Sequence, residues 1–217
     1  MRYRCYHDCL AKCASAVLMD VMDAMNVRRQ CLDPRVRPLL PSMRIWGEAV
    51  TIHLEAVNEL PVRPFQLELE LVDSLQEGQV VVAHCEAREL SAFWGGLLSN
   101  AALGRKAAGV ITDGAVRDYA EITELGFPTF AAGLTPYDSL GRMDGKRRNL
   151  PITCGGVRVC PGDLVFGDVD GVVVVPQDIA ERVIDKAWEK VNAESTVRAE
   201  LRAGAGAVAT FQKYGVL

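Results

Sequence analysis

The stretch Gly95–Asp118, GGLLSNAALGRKAAGVITDGAVRD, decides the fold class. Its first part is rich in Ala and Leu, which enter a helix at little entropic cost, and Gly104 and Gly109 offer stops. Val110–Thr112 then reads as a short buried strand and Asp113-Gly114 as a turn. A second helix is expected from Asp118 through Leu125, ending at Gly126 ahead of Pro128, with Thr129–Ala132 as the next strand. Upstream, Gly78–Ala83 (GQVVVA) reads as another buried strand. This alternation of strand, helix and strand points to an α/β domain, and the short strands that follow suit a compact antiparallel or mixed sheet.

On the N-terminal side, Cys13–Met25 places apolar residues at helical spacing and closes at Asn26 and Arg28-Arg29. After the Pro-punctuated linker Pro34–Pro41, Ile45–Ile52 and Gln66–Leu71 both read as strands. On the C-terminal side, Thr135–Asn149 carries Arg142, Lys146, Arg147 and Arg148 and is expected to be an exposed loop. Ile152–Cys154, Val157–Val159, Leu164–Phe166 and Val172–Val175 read as short strands between tight Gly- and Asp-containing turns. Asp178–Arg202 reads as a long amphipathic helix, with a break near Asn192, ending at Gly204-Ala-Gly206. No repeat or low-complexity tract divides the chain. One domain over 1–217 is expected, with a core of about 14–176 and a C-terminal helical arm of about 178–204.

With 217 residues, 49% of them hydrophobic, the chain can bury a core of its own. Its formal charge of −4 has the wrong sign for a protein built to neutralise phosphates, so nucleic acid is not an expected partner. Apolar runs such as Gly171–Pro176 fall far short of the roughly 20 residues that span a bilayer. The start Met1-Arg-Tyr-Arg-Cys has no apolar signal core, so a cytoplasmic protein without a membrane partner is expected. Seven cysteines form no even disulfide set and read as reduced thiols. Cys5, Cys9 and Cys13 would share one helical stripe, but their spacing lacks the C-x2-C turn, which favours a small apolar role over metal binding.

Two groups could carry chemistry. Gly95-Gly96 before a helix leaves the amides of Gly96, Leu97 and Leu98 free to face an anion, although such a pair also serves as a plain tight turn. Arg117 and Asp118 follow the carboxyl end of a buried strand, where ligands of α/β sheets usually bind. Arg117 offers a fork for a carboxylate, and Asp118 a hard oxygen ligand for Mg²⁺ or Mn²⁺. Equally open is a bland role at a helix N-terminus, with Asp118 facing the dipole and Arg117 in a surface ion pair. Asp168 and Asp170 read as turn and capping residues, and His53 and His84 as makers of buried hydrogen bonds rather than a catalytic pair. Cys85 and His84 are strand neighbours on opposite faces, so they do not form a protease pair. The Arg142–Arg148 charges read as a solvated loop that could also rim a pocket.

The set Gly95-Gly96-Leu-Leu, Ile111-Thr-Asp-Gly-Ala-Val-Arg-Asp118, Leu125-Gly-Phe-Pro128, Cys154-Gly-Gly-Val157, Pro161-Gly-Asp163 and Asp168–Pro176 resembles one known family. That family joins the regulator of ribonuclease activity A with the 4-hydroxy-4-methyl-2-oxoglutarate aldolases. The resemblance runs from about Ala14 to Gly204. It implies a three-layer β/β/α swivelling sandwich of the phosphohistidine-domain type, assembled as a homo-oligomer, a trimer or a dimer of trimers, with sites between subunits. It also implies an Mg²⁺- or Mn²⁺-dependent lyase that cleaves 4-hydroxy-2-oxo dicarboxylic acids to pyruvate and decarboxylates oxaloacetate.

In the aldolases an aspartate, twenty further residues and then Arg-Asp form the metal and substrate site. Arg117-Asp118 match the second half, while Gly96 stands where the first aspartate is expected. The roles implied are Arg117 and Asp118 as catalytic residues, Asp118 as metal ligand, and Gly95, Gly96, Leu97, Leu98 and Arg117 as substrate-binding residues. Asp113 and Glu194, the latter from a neighbouring subunit, are further candidate ligands, ahead of Glu189 and Glu200. A metal-bound water is the expected base for the 4-hydroxyl proton. Gly96 also leaves room for another metal-dependent lyase or hydratase on the same scaffold. The family's namesake adds a third reading, a non-catalytic regulator that binds an RNA-degrading enzyme.

Overall fold

The computed structural model describes residues 3–86 and 91–215. In chain order the helices are α1 (His7–Lys12), α2 (Ser15–Ala24), α3 (Gln66–Ser74), α4 (Gly96–Gly104), α5 (Tyr119–Glu124), α6 (Ala180–Arg202) and α7 (Ala207–Tyr214). The first strands are β1 (Arg37–Pro38), β2 (Ile45–Ala56), β3 (Gln79–Cys85), β4 (Ala92–Trp94), β5 (Gly109–Thr112), β6 (Ala115–Val116), β7 (Thr129–Ala131) and β8 (Gly133–Leu134). They are followed by β9 (Met143–Arg148), β10 (Ile152–Cys154), β11 (Val157–Val159), β12 (Leu164–Asp168) and β13 (Gly171–Val175).

The main sheet has the order β1-β7-β5-β3-β2-β12-β13, with β9 also pairing β2. Its centre, β7-β5-β3-β2, is parallel, and β1, β9, β12 and β13 are added antiparallel. Strand alternation sends Val50, Ile52 and Leu54 of β2 to one face, where they pack with Leu71, Val72 and Ala102 of α3 and α4. On that same face, α1, α2 and α6 cover Leu164, Phe166, Val173 and Val175. Ile45 and Ala49 go to the other face and meet the β10–β11 hairpin through Ile152, Cys154, Val157 and Val159. Helices, main sheet and hairpin form the expected β/β/α layers, with a C-terminal helix. A third small sheet, β4-β6-β8, lies beyond the ends of the parallel strands and carries the residues of interest.

Several local expectations are corrected. Gln66–Leu71 lies in α3, not in a strand. The alternation Leu67-Glu-Leu69-Glu-Leu71 mimics a strand, but Gln, Leu and Glu are good helix formers, and Leu71 and Val72 reach the core only from a helix. The expected loop Thr135–Asn149 contains β9, which adds to the edge of β2 through a bulge at His53/Leu54. Its charged sequence has no apolar alternation to announce a strand. Helix α6 runs unbroken through Asn192, and α7 follows it, with Lys213 and Tyr214 both bonded to Glu200.

Cys5 lies in a 3-10 turn, Arg4–Tyr6, rather than on a helix continuous with Cys9 and Cys13. Cys13 is buried in the α1–α2–α6 core, 4.0 Å from the Cys9 sulfur. Asp168 accepts the Ser15 N–H at 2.8 Å, the Ser15 hydroxyl at 2.7 Å and the Asp170 N–H at 3.0 Å. It therefore caps α2 as well as closing its own turn. Among the described residues no helix is long and apolar enough to cross a membrane.

Candidate functional site

Strands β4 and β6 run parallel with Trp94 opposite Val116, and the Arg117 N–H donates to the Trp94 carbonyl at 3.0 Å. That pairing brings the start of α4 beside Arg117 and Asp118, residues more than twenty positions later in the chain. Trp94 is anchored by its own indole N–H, which donates to Ser99 Oγ at 2.8 Å, while the Ser99 hydroxyl donates to the Gly95 carbonyl at 2.9 Å. A Cβ at Gly95 would press on Asp118 and on the Arg117 side chain, so glycine is required by close approach.

Asp118 adopts a left-handed conformation, φ 59°, uncommon for a residue with a side chain and frequent at functional positions. It precedes α5 but makes no side-chain cap to it. Its Oδ2 instead accepts the N–H of Gly96 at 2.9 Å, across to the start of α4. Asp118 stands at the N-cap position of α5, where its charge faces the helix dipole, while its side chain bonds the Gly96 amide, which is therefore not open to an anion.

Arg117 lies with Nε 3.8 Å from Asp118 Oδ2 and Nη1 3.3 Å from Asp138 Oδ2, with about a third of its side chain exposed. Glu121, one helical turn after Asp118, points back at α4. Its Oε1 accepts from Asn100 Nδ2 at 2.9 Å, and Asn100 also donates to the Gly96 carbonyl at 2.9 Å. The Glu121 carboxylate fills the space into which a side chain on residue 96 would project. Arg117 and Asp118 open onto two shallow cavities. One, of about 360 Å³, is also lined by Tyr119, Leu134 and Thr135, and the other, of about 230 Å³, by Glu68, Leu97, Leu98 and Asp138.

The remaining expected ligands lie elsewhere. Asp113 is buried and accepts from His84 Nδ1 at 2.8 Å and from the N–H groups of Cys85 and Gly155 at 2.9 Å each. Burial alone would raise its pKa, but the bonds from His84, Gly155 and Cys85 outweigh that and hold it below the ordinary value. It is fully engaged and does not join Asp118. Glu194 lies along α6 between Arg198, at 2.6 Å, and Lys190, at 3.9 Å.

His53 and His84 both make the expected hydrogen bonds, His53 to Glu86 at 3.1 Å, yet the parallel register of β2 and β3 also sets their rings side by side, 5.0 Å apart and tilted by 38°. His53, Glu55 and Glu86 place ligand atoms within 4.8 Å of one another, a carboxylate/imidazole group that could hold a cation. None of its members lines either cavity at Arg117 and Asp118. Sequence reasoning missed Glu121, Asn100, Asp138 and Glu68. Of these only Glu121 carries a signal, an acid one helical turn beyond Arg-Asp.

The family model described as RraA-like, Aldolase/RraA, matches residues 15–174. The chain belongs to the RraA-like family. A "Putative 4-hydroxy-4-methyl-2-oxoglutarate aldolase" of Halalkalibacterium halodurans is 33% identical over 159 residues, covering 73% of this RraA-like chain and 72% of that protein. Protein DlpA of Legionella pneumophila is 28% identical over 195 residues, 90% of this chain, and the RraA-like chain spans about a third of its length, 31%. Among solved structures, Streptomyces coelicolor RraAS2, described as an unusual member of the RNase ES inhibitor RraA protein family, superposes with a TM-score of 0.81 at 27% identity. That match covers 89% of this RraA-like chain and 96% of the other.

Proposed function

We propose that this chain is a divalent-metal-dependent carbon–carbon lyase acting on small 2-oxo acids. It releases pyruvate by retro-aldol cleavage of 4-hydroxy-2-oxo dicarboxylic acids and by decarboxylation of oxaloacetate. The observation that carries the reading is the grouping of Arg117, Asp118 and Glu121 at the start of α4, with the Glu121 carboxylate standing where residue 96 has no side chain. Asp118 in the cleft and the exposed Glu121 carboxylate beside Gly96 are hard-oxygen donors of the kind that suits Mg²⁺ or Mn²⁺, ions that keep several waters. Asp118 and Glu121 would hold the ion, and the charge it supplies favours negative charge developing on the 2-oxo oxygen.

The chain's own residues do the rest. Arg117 pairs with a substrate carboxylate, exchanging its contact with Asp138 for the substrate. The backbone at Gly95, Gly96, Leu97 and Leu98 forms the wall against which the 2-oxo acid lies, and the Gly96 N–H orients Asp118. Cleavage of the bond between C3 and C4 leaves the enolate of pyruvate, whose negative charge faces Arg117.

The functional unit is a homo-oligomer, a trimer or a dimer of trimers, formed by one domain with its helical arm. Leu97 is 83% exposed at the cleft, and Tyr119, Leu134 and Tyr137 are exposed around it, an apolar rim suited to cover by a neighbouring subunit. Glu194 from that neighbour would serve as a third carboxylate after leaving Arg198 and Lys190. Pyruvate release from oxaloacetate and 4-hydroxy-2-oxo acids, measured with Mg²⁺, with Mn²⁺ and with chelator, tests the reading. Metal-dependent turnover that Asp118→Ala abolishes is expected, and no metal-dependent turnover of any of these substrates overturns it.

A further inference from the structure

The cavity at Arg117 and Asp118 has a second wall that the lyase chemistry above does not use. Glu68, in the first turns of α3, is 2% exposed, and neither carboxylate oxygen has a hydrogen-bond partner among the described residues. It lines the 230 Å³ cavity together with Trp94, Leu98, Arg117, Asp118 and Asp138. Its Oε2 lies against Gly145 of β9, where an added Cβ would stand 3.0 Å away. A carboxylate kept from water without donors is costly to the fold. Resting on the lyase reading, we propose that Glu68 is the proton-transfer group of this site, carrying a proton between substrate oxygen or solvent and C3 of pyruvate.

The chemistry closes without a further reactant. In retro-aldol cleavage the Glu68 carboxylate takes the proton of the 4-hydroxyl. The C3–C4 bond then breaks, C4–O becomes a carbonyl, and the electron pair passes into the enolate of pyruvate. Glu68, now a carboxylic acid, gives the same proton to C3 and is a carboxylate again. In oxaloacetate decarboxylation the C3–C4 bond breaks with loss of carbon dioxide and needs no base. Only the protonation of C3 draws on Glu68, which recovers its proton from solvent.

Both forms of the acid are needed, and burial supplies them near neutrality. Burial pushes the Glu68 pKa up to about 7, and Asp144 on β9 adds to the rise. The other charged groups around it are Arg117, Asp118 and Asp138 in the cavity and the Arg148–Glu70 pair that ties β9 to α3.

The test is exchange of the pyruvate methyl protons in D₂O, followed by proton NMR with Mn²⁺-free Mg²⁺ enzyme, beside oxaloacetate consumption. Wild-type protein is expected to exchange the methyl protons. Glu68→Gln should lose about 10²-fold or more in exchange and in retro-aldol rate, the usual span for a general acid–base group, while oxaloacetate consumption falls less than about tenfold. A merely structural role would lower all three rates together. Exchange retained in Glu68→Gln overturns the role of Glu68 and leaves the lyase reading intact. Absence of exchange and of all turnover in the wild type overturns both. The wild-type exchange rate should also rise with pH through about 7 as the carboxylate forms. A rate flat from well below to well above that value overturns the proposal without any variant.

Discussion

The carboxylate of Glu121 occupies the volume that a side chain on Gly96 would enter, so these two positions hold one acid between them. The bond from Asn100 to Glu121, at 2.9 Å, and that from Asn100 to the Gly96 carbonyl, at 2.9 Å, fix the arrangement. Glycine at residue 96 thus leaves room for the acid on α5.

Gly96→Asp alone is expected not to tighten Mn²⁺ binding, because the new carboxylate takes the place of Glu121 and its like charge pushes that flexible side chain away. Glu121→Ala should weaken binding at least about tenfold, or ~1.4 kcal/mol, and Gly96→Asp with Glu121→Ala should recover most of the loss. Calorimetric titration of the three variants checks this. Tighter binding by Gly96→Asp alone would show that the two positions do not share the space.

Arg117→Lys keeps the charge but loses the planar fork. KM for oxaloacetate is expected to rise about tenfold with little change in kcat, and Arg117→Ala to cost about 10²-fold in kcat/KM. Steady-state kinetics with unchanged KM in both variants would remove Arg117 from carboxylate binding.

Glu68 links stability to pH. Its folded-state pKa of about 7 lies above the ordinary 4.5, so the folded chain binds the proton more tightly than the unfolded one. The stability this confers is complete below the ordinary value and is lost as pH rises through about 7, a change of order 3 kcal/mol. Glu68→Gln should flatten denaturant-derived stability over that window and be the more stable protein at pH 8. Parallel wild-type and variant curves would contradict the burial argument.

Asp168→Ala removes three hydrogen bonds that hold Ser15 and Asp170, two of them at the buried start of α2. A loss of about 2–3 kcal/mol is expected in urea denaturation, with the cleft at Arg117 unaffected. A loss below about 0.5 kcal/mol would mean that water replaces the cap, as at exposed helix ends.

Much of this protein is decided locally and is therefore legible in its sequence. The apolar runs of β3, β5, β12 and β13, the glycine-bounded α4 and the Arg117-Asp118 pair after a buried strand all depend on periodicity, propensity and turn chemistry within short windows. Where two periods fit, as in Gln66–Leu71, only the core surface available to Leu71 and Val72 chose helix over strand. The charged strand β9 exists because β2 offers it an open edge, which no local pattern announces. The site follows the same division. Residue types and the family motif marked Arg117 and Asp118. The diversion of Asp118 to the Gly96 amide, the return of Glu121 into the space at residue 96, the commitment of Asp113 to His84 and the burial of Glu68 beside Arg117 all come from strand pairing and helix packing. Those contacts join residues far apart in the chain, and a side chain's partners and desolvation, unlike its helix or strand preference, are set only when distant segments meet.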